Sequence, residues 1–224
     1  MGHVIHFMRR LAKTGEECMW FEYPQHHLRR EAPGRLRPTQ MSVGYAEVAA
    51  KRREWAALGH KARRATLEQQ VFPAVFGPGD RYYIIDHHHL ALALIEEEVE
   101  GVWVAAQDDL SWLDTRVFWR TMEFRAWAHP YDAQGRRGNC SDIPARLESL
   151  QDDPYRSLAG RVRHAGGYAK SIAPFAEFLW ADFFRPRVSR ALLRRDLQRA
   201  VREGKKLARS AAARYLPGWS GSHR

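Results

Sequence analysis

Along the chain, apolar positions follow two different periods. Residues 36–43 (LRPTQMSV) read as extended, since Pro38 disfavours helix at the residue before it. Over 45–58 (YAEVAAKRREWAAL) the pattern turns helical, with Ala46, Ala49, Ala50, Trp55 and Leu58 on one broad face and Gly59 as the stop. The run VFPAVFGPGDRYYIID then predicts a strand over 72–76, a Gly-Pro-Gly-Asp turn and a second strand over 82–85, which together make a hairpin. A helix starts at His88 or His89 and runs through LALALIEEE, and residues 102–106 (VWVAA) form another strand. Beyond Asp109 strand signals fade. Residues 112–128, 143–150, 155–165, 174–184 and 189–214 are predicted as helices, with Asp153-Pro154 as a helix start and Gly166-Gly167 as a terminator.

This order predicts an α+β protein: a small mixed-sheet lobe followed by a mainly helical one. The expected divisions are an N-terminal arm over 1–35 with a short helix around 8–13, the α/β lobe over 36–112, the helical lobe over 113–188, and a basic C-terminal helix and tail over 189–224.

Composition narrows the classes. The 224 residues are 45% hydrophobic and 12% aromatic, which excludes global disorder. Two cysteines, Cys18 and Cys140, support neither a disulfide scaffold nor a thiolate zinc site. No apolar run is long enough to span a membrane and the N-terminus lacks a secretory pattern, so the expected location is cytoplasmic. The net charge of +10 is uneven: +6 over 1–70, −8 over 71–153 and +12 over 154–224. Attraction to an anionic partner is therefore expected from the C-terminal third rather than the whole surface.

The densest chemistry is DHHHLALAL, residues 86–94, at the predicted strand–helix junction. Unpaired N–H groups and the positive end of the helix dipole make such a junction an anion site. His88 or His89 would donate to a phosphate or carry a proton near neutral pH. Asp86 would cap the helix, orient a histidine or hold a phosphate-bound magnesium ion. The alternative is a capping Asp86 and a satisfied core histidine. Three consecutive histidines diverge by about 100° each on a helix and suit zinc poorly.

The ordered elements PTQ-x-SVG-x-x-EV, P-x-VFGPG, YYIIDHHH, DDPYRSLAGRVR and FAEFLWADFFR resemble the ParB-like nuclease family of the ParB/sulfiredoxin-like superfamily, across about residues 36–190. The resemblance implies the mixed-sheet fold and a nucleotide-phosphate site at the His element. There the superfamily's Gly falls at His87, its Arg at Leu90 and its Ala at Ala93. The missing Arg removes a bidentate phosphate clamp, and no sulfiredoxin-type Cys stands in the element. By position, Glu47 and Asp86 match the acidic pair of relatives that phosphorylate free serine. Glu47 would act as general base, or simply sit well at a helix start.

Thr39, Gln40 and Ser42 are expected to line the same cleft, with His87 beside them. Arg156, Arg163 and Lys170 would hold an anion; Arg156 and Arg163, two helical turns apart, share a face. Pairing with Asp152, Asp153 and Glu177 is the structural alternative. The C-terminal helix places Leu193, Leu197, Val201 and Leu207 against a crowd of Arg and Lys, a pattern suited to nucleic acid or to packing on its own protein. Three functions follow as expectations: a nuclease or phosphoryl-transfer enzyme using magnesium with ATP, ADP, CTP or DNA; a non-catalytic DNA-binding protein using its basic C-terminal helices; or a kinase of free serine type. The oligomeric state is left open.

Overall fold

The computed structural model describes residues 28–221, and the expected helix around 8–13 lies outside them. Its six strands are β1 (Leu28–Glu31), β2 (Ser42–Val43), β3 (Val71–Gly77), β4 (Arg81–Ile84), β5 (Val102–Asp109) and β6 (Gln151–Asp152). Its eight α-helices are α1 (Tyr45–Ala56), α2 (His60–Gln69), α3 (His88–Glu96), α4 (Thr115–Phe124), α5 (Pro154–His164), α6 (Ala176–Phe184), α7 (Arg190–Arg195) and α8 (Leu197–Arg209).

The main sheet has the order β1-β5-β3-β4. β3 and β4 form the antiparallel hairpin, β3 pairs parallel with β5, and β1 closes the other edge antiparallel to β5. Alternation along β3 divides the core between the two faces of the sheet. Phe72 and Ala74 join Val48, Trp55 and the buried face of α3 on one side. Val75 joins Phe118 and Met122 of α4, with Leu110, Ala128, Cys140 and Ile143, on the other. A separate aromatic core around Trp180, Phe183, Phe184 and Tyr168 holds the helical lobe.

The fold is α+β as expected, with local corrections. Residues 28–31, expected in the arm, are an edge strand of the main sheet. Helix α2 was not expected, because none of its residues is buried and it therefore carries no apolar stripe. The helix expected over 143–150 is a loop with one 3-10 turn, Leu147–Ser149, and Pro144 lies within it. The long C-terminal helix is broken at Asp196, whose carboxylate accepts the Arg199 N–H at 2.9 Å and starts α8 anew. The buried stripe of α8 is Ala200, Gly204 and Ala208 rather than its large residues; a side chain at Gly204 would strike Val162 of α5. On α1 the buried residues are Val48 and Trp55, while Ala49 is exposed.

The two lobes are joined by hydrogen bonds to main-chain carbonyls. β2 and β6 form a parallel ladder, the Asp153 N–H donates to Val43 O, the His129 N–H donates to Thr39 O, and the Tyr45 hydroxyl donates to Leu150 O. Among the described residues no helix is long and apolar enough to cross a membrane.

Candidate functional site

The strand–helix corner forms where β4 ends and α3 begins. His87 precedes the helix with φ 65° and ψ 22°, the left-handed region that glycine favours. A histidine thus holds a backbone conformation that glycine adopts more readily. Among the described residues no side chain caps α3, so the N–H groups of its first turn are not satisfied from within the helix or by such a cap. The Asp86 carboxylate instead turns back and accepts the His87 N–H at 2.6 Å.

His88 is 3% exposed, and its Nε2 accepts the Thr39 N–H at 3.1 Å. The Thr39 hydroxyl is engaged as well, donating to Ile84 O at 2.8 Å. One residue on, His89 Nε2 accepts the Gly44 N–H at 3.0 Å. Both imidazoles must be neutral to accept at Nε2, which puts the proton on Nδ1. Burial pushes His88 down to about 3 and drives His89 well below its usual value, with the charge of Arg156 acting in the same direction on both. His88 therefore carries no proton back and forth near neutral pH; its remaining chemistry is donation from Nδ1–H.

Asp86 is different in kind. Its side chain is 73% exposed. The surrounding protein pushes its carboxyl up, but His87, the bonded His87 N–H, His88 and Arg156 outweigh this and hold it below the usual carboxylate range. An exposed carboxylate is thus held ionised by the charges gathered around the start of α3.

The other expected ligand-binding residues divide. Ser42 is fully buried and its hydroxyl has no partner among the described residues, while the Gln40 amide donates to Ser42 O at 2.6 Å and does a structural job. Arg156 and Arg163 do share a face of α5, and both reach Glu177 of α6, Arg163 at 2.7 Å. Arg156 also stacks over Phe178 and acts on Asp86, His88 and His89. Lys170 lies exposed in the connection between α5 and α6 and is not brought to the corner by any bond among the described residues.

Glu47 stands in the first turn of α1, three residues past the Gly44 that His89 holds. Its carboxylate faces α5, against Gly160 and 3.4 Å from Arg161 Nε. An open groove of about 500 Å³ runs from it between α1, α5 and α8, with Lys51, His164, Leu197 and Arg202 among its lining. The structure thus brings Thr39, Gly44, His88 and His89 together by direct bonds and Asp86, His87 and Arg156 by charge, and it places Glu47 in an adjoining groove.

His129 was missed. It lies on Thr39 and Gln40 and stacks on Tyr131 and Phe175 with centroids 4.5 and 4.7 Å away; burial lowers it to about 4. It lies in a polar loop where no periodicity marks it; only the following Pro130 hints at a fixed backbone.

Residues 32–186 match the family model described as "Putative ParB-like nuclease", and the chain belongs to that family. It is also similar to protein Atu1540 from Agrobacterium tumefaciens, known from a crystal structure: 48% identity over 88% of this chain and 99% of that one, with a TM-score of 0.81. No curated protein matches the chain.

Proposed function

We propose that the protein is an enzyme of phosphoester chemistry, a nuclease or phosphotransferase, that binds a phosphate group at the α3 corner. The observation that carries this reading is the uncapped start of α3: its backbone N–H groups and the positive helix end lie beside an accessible Asp86, with His87, His88 and Arg156 near. Family membership supports it. Glu47, held by Arg161 in the adjoining groove, is the base for a water or hydroxyl acceptor. His88 and His89 act by fixed donation and by holding the 39–44 segment in place, so catalysis relies on positioning and electrostatics.

Asp86 is a single accessible carboxylate, a donor set that suits a magnesium ion arriving on a nucleotide rather than a resident ion in a protein cage. When bound there, magnesium would neutralise phosphate charge. The test is thermal stability with ATP, ADP or CTP, each with and without magnesium, in the native protein and in Asp86→Asn. The expected result is a rise in Tm with one nucleotide that the variant loses. No rise with any of them counts against the reading.

A second reading has its own observation. Arg194, Arg195, Arg202 and Lys206 are exposed, and the last two lie opposite the stripe that seats α8 on α5. Duplex DNA binding with a steep salt dependence, unchanged in Glu47→Gln and His88→Ala, would favour a DNA-binding protein without catalysis.

A further inference from the structure

Helix α4 lies on the opposite face of the sheet from α3, and its outer side combines exposed aromatic and basic residues. Phe118 and Met122 point into the core, and Thr115, Arg116, Arg120 and Phe124 are exposed. Arg116, Arg120 and Phe124 are spaced by four residues, so they follow one another along one face over about 12 Å. Trp112 stands in the turn before the extended Asp114 cap, four residues upstream of Arg116 in sequence but outside the helix. Trp112 is 78% exposed and Phe124 is 90% exposed, and neither ring stacks on another side chain of the described residues.

The charges around them sharpen the picture. Arg125 pairs with Asp108 and Arg137 with Glu123, while Asp114 caps α4 through the N–H groups of Arg116 and Val117 and Asp109 holds Ser111. Those neighbouring acids are engaged, and the guanidinium groups of Arg116 and Arg120 have no acidic partner among the described residues. In chain order, two exposed aromatic rings thus bracket two cations that have no acidic partner among the described residues. A membrane-seeking helix or a dimer core needs contiguous apolar surface, which the intervening arginines interrupt. A single nucleic-acid strand needs aromatic platforms for bases with cations for the phosphates between them.

We infer that the outer face of α4 is a docking strip for single-stranded nucleic acid, with bases stacking on Trp112 and Phe124 and phosphates meeting Arg116 and Arg120. The strip stands apart from the α3 corner, so it does not depend on the activity proposed there.

The test is fluorescence anisotropy of a labelled oligodeoxythymidylate at low salt with the full chain. Trp112→Ala and Phe124→Ala are each expected to weaken binding about tenfold, in line with the measured worth of base–aromatic stacking. Trp112→Phe restores most of it. Replacing Arg116 and Arg120 together by Gln lowers the salt slope by about 1.4, the value for two phosphate contacts on a single strand. All four side chains are exposed, so unchanged melting curves will show that the variants fold. Binding that persists in the Trp112→Ala/Phe124→Ala double variant would place the strand on the basic α7–α8 surface and overturn the inference. So would native protein that ignores the oligonucleotide but binds phosphatidylglycerol vesicles, or that self-associates until Trp112 is replaced.

Discussion

At the α3 corner two imidazoles commit their Nε2 atoms to the backbone N–H groups of Thr39 and Gly44, whereas in the groove beside it the Glu47 carboxylate is held by another side chain, Arg161. The two regions meet within the first turn of α1, yet an ionisable group means something different in each. In the corner, His88 and His89 are struts that fix the approach to α1, and their chemistry is what remains after that duty. In the groove, Glu47 is 12% exposed and Arg161 32%, enough for water to reach the pair, and no main-chain group of the described residues depends on either carboxylate oxygen. The lesson is that the most reactive-looking residues of the sequence first hold the backbone.

The contrast breaks most sharply on substitution. His88→Leu leaves the buried Thr39 N–H without an acceptor and should cost about 3 kcal/mol in urea denaturation. Glu47→Gln, at a partly exposed pair, should cost about 1 kcal/mol or less while removing turnover of a phosphoester substrate. Equal losses from the two would erase the distinction.

Acid provides the next largest effect. His88 sits at about 3 in the folded protein and near 6.5 unfolded. Between those values the unfolded chain binds the proton and the folded chain does not. Stability is therefore fully present above about pH 6.5 and falls as pH drops towards 3. His88 alone should remove about 2 kcal/mol by pH 5, with His89 and His129 adding in the same direction. Denaturation midpoints measured down the pH scale check this, and a flat profile would mean that the imidazoles are not buried as neutral groups.

Removing the shared counter-charge of α5 comes third. Glu177→Gln leaves Arg156 and Arg163 without their common partner and should cost about 1–2 kcal/mol, discounted for partial exposure. The same change makes the α3 corner more positive, so inorganic phosphate should bind more tightly, as calorimetry would show. The smallest effect belongs to Gly160→Ala. Alanine favours the helix by about 1 kcal/mol, but its methyl would stand 3.3 Å from Glu47 Oε2. Stability should stay within about 0.5 kcal/mol while the displaced carboxylate loses activity.

Much of this was legible in the sequence where local chemistry decides the structure. The Gly77–Asp80 turn announces the β3–β4 hairpin, and Asp153-Pro154 starts α5 where expected. The seven-residue spacing of Arg156 and Arg163 does bring them to one partner, Glu177. Long-range pairing was not legible. Nothing near His88 or His89 shows that their acceptors serve N–H groups 49 and 45 residues upstream. The strand at 28–31 has polar residues at its centre and reads as irregular chain until β5 is beside it. Helix α2 buries no residue, so apolar periodicity could not reveal it.

The short β2–β6 ladder has a consequence for anyone who would divide the molecule. Ser42 and Val43 take their partners from residues 151 and 152, and Met41 O and Val43 O accept N–H groups from Gln151 and Asp153. A fragment ending near residue 112 would carry the whole histidine corner but present a raw strand edge to solvent, with the carbonyls of 41 and 43 bare beside the buried hydroxyl of Ser42. Such a piece should stick to itself rather than stay in solution, and the first lobe is best handled with its second attached.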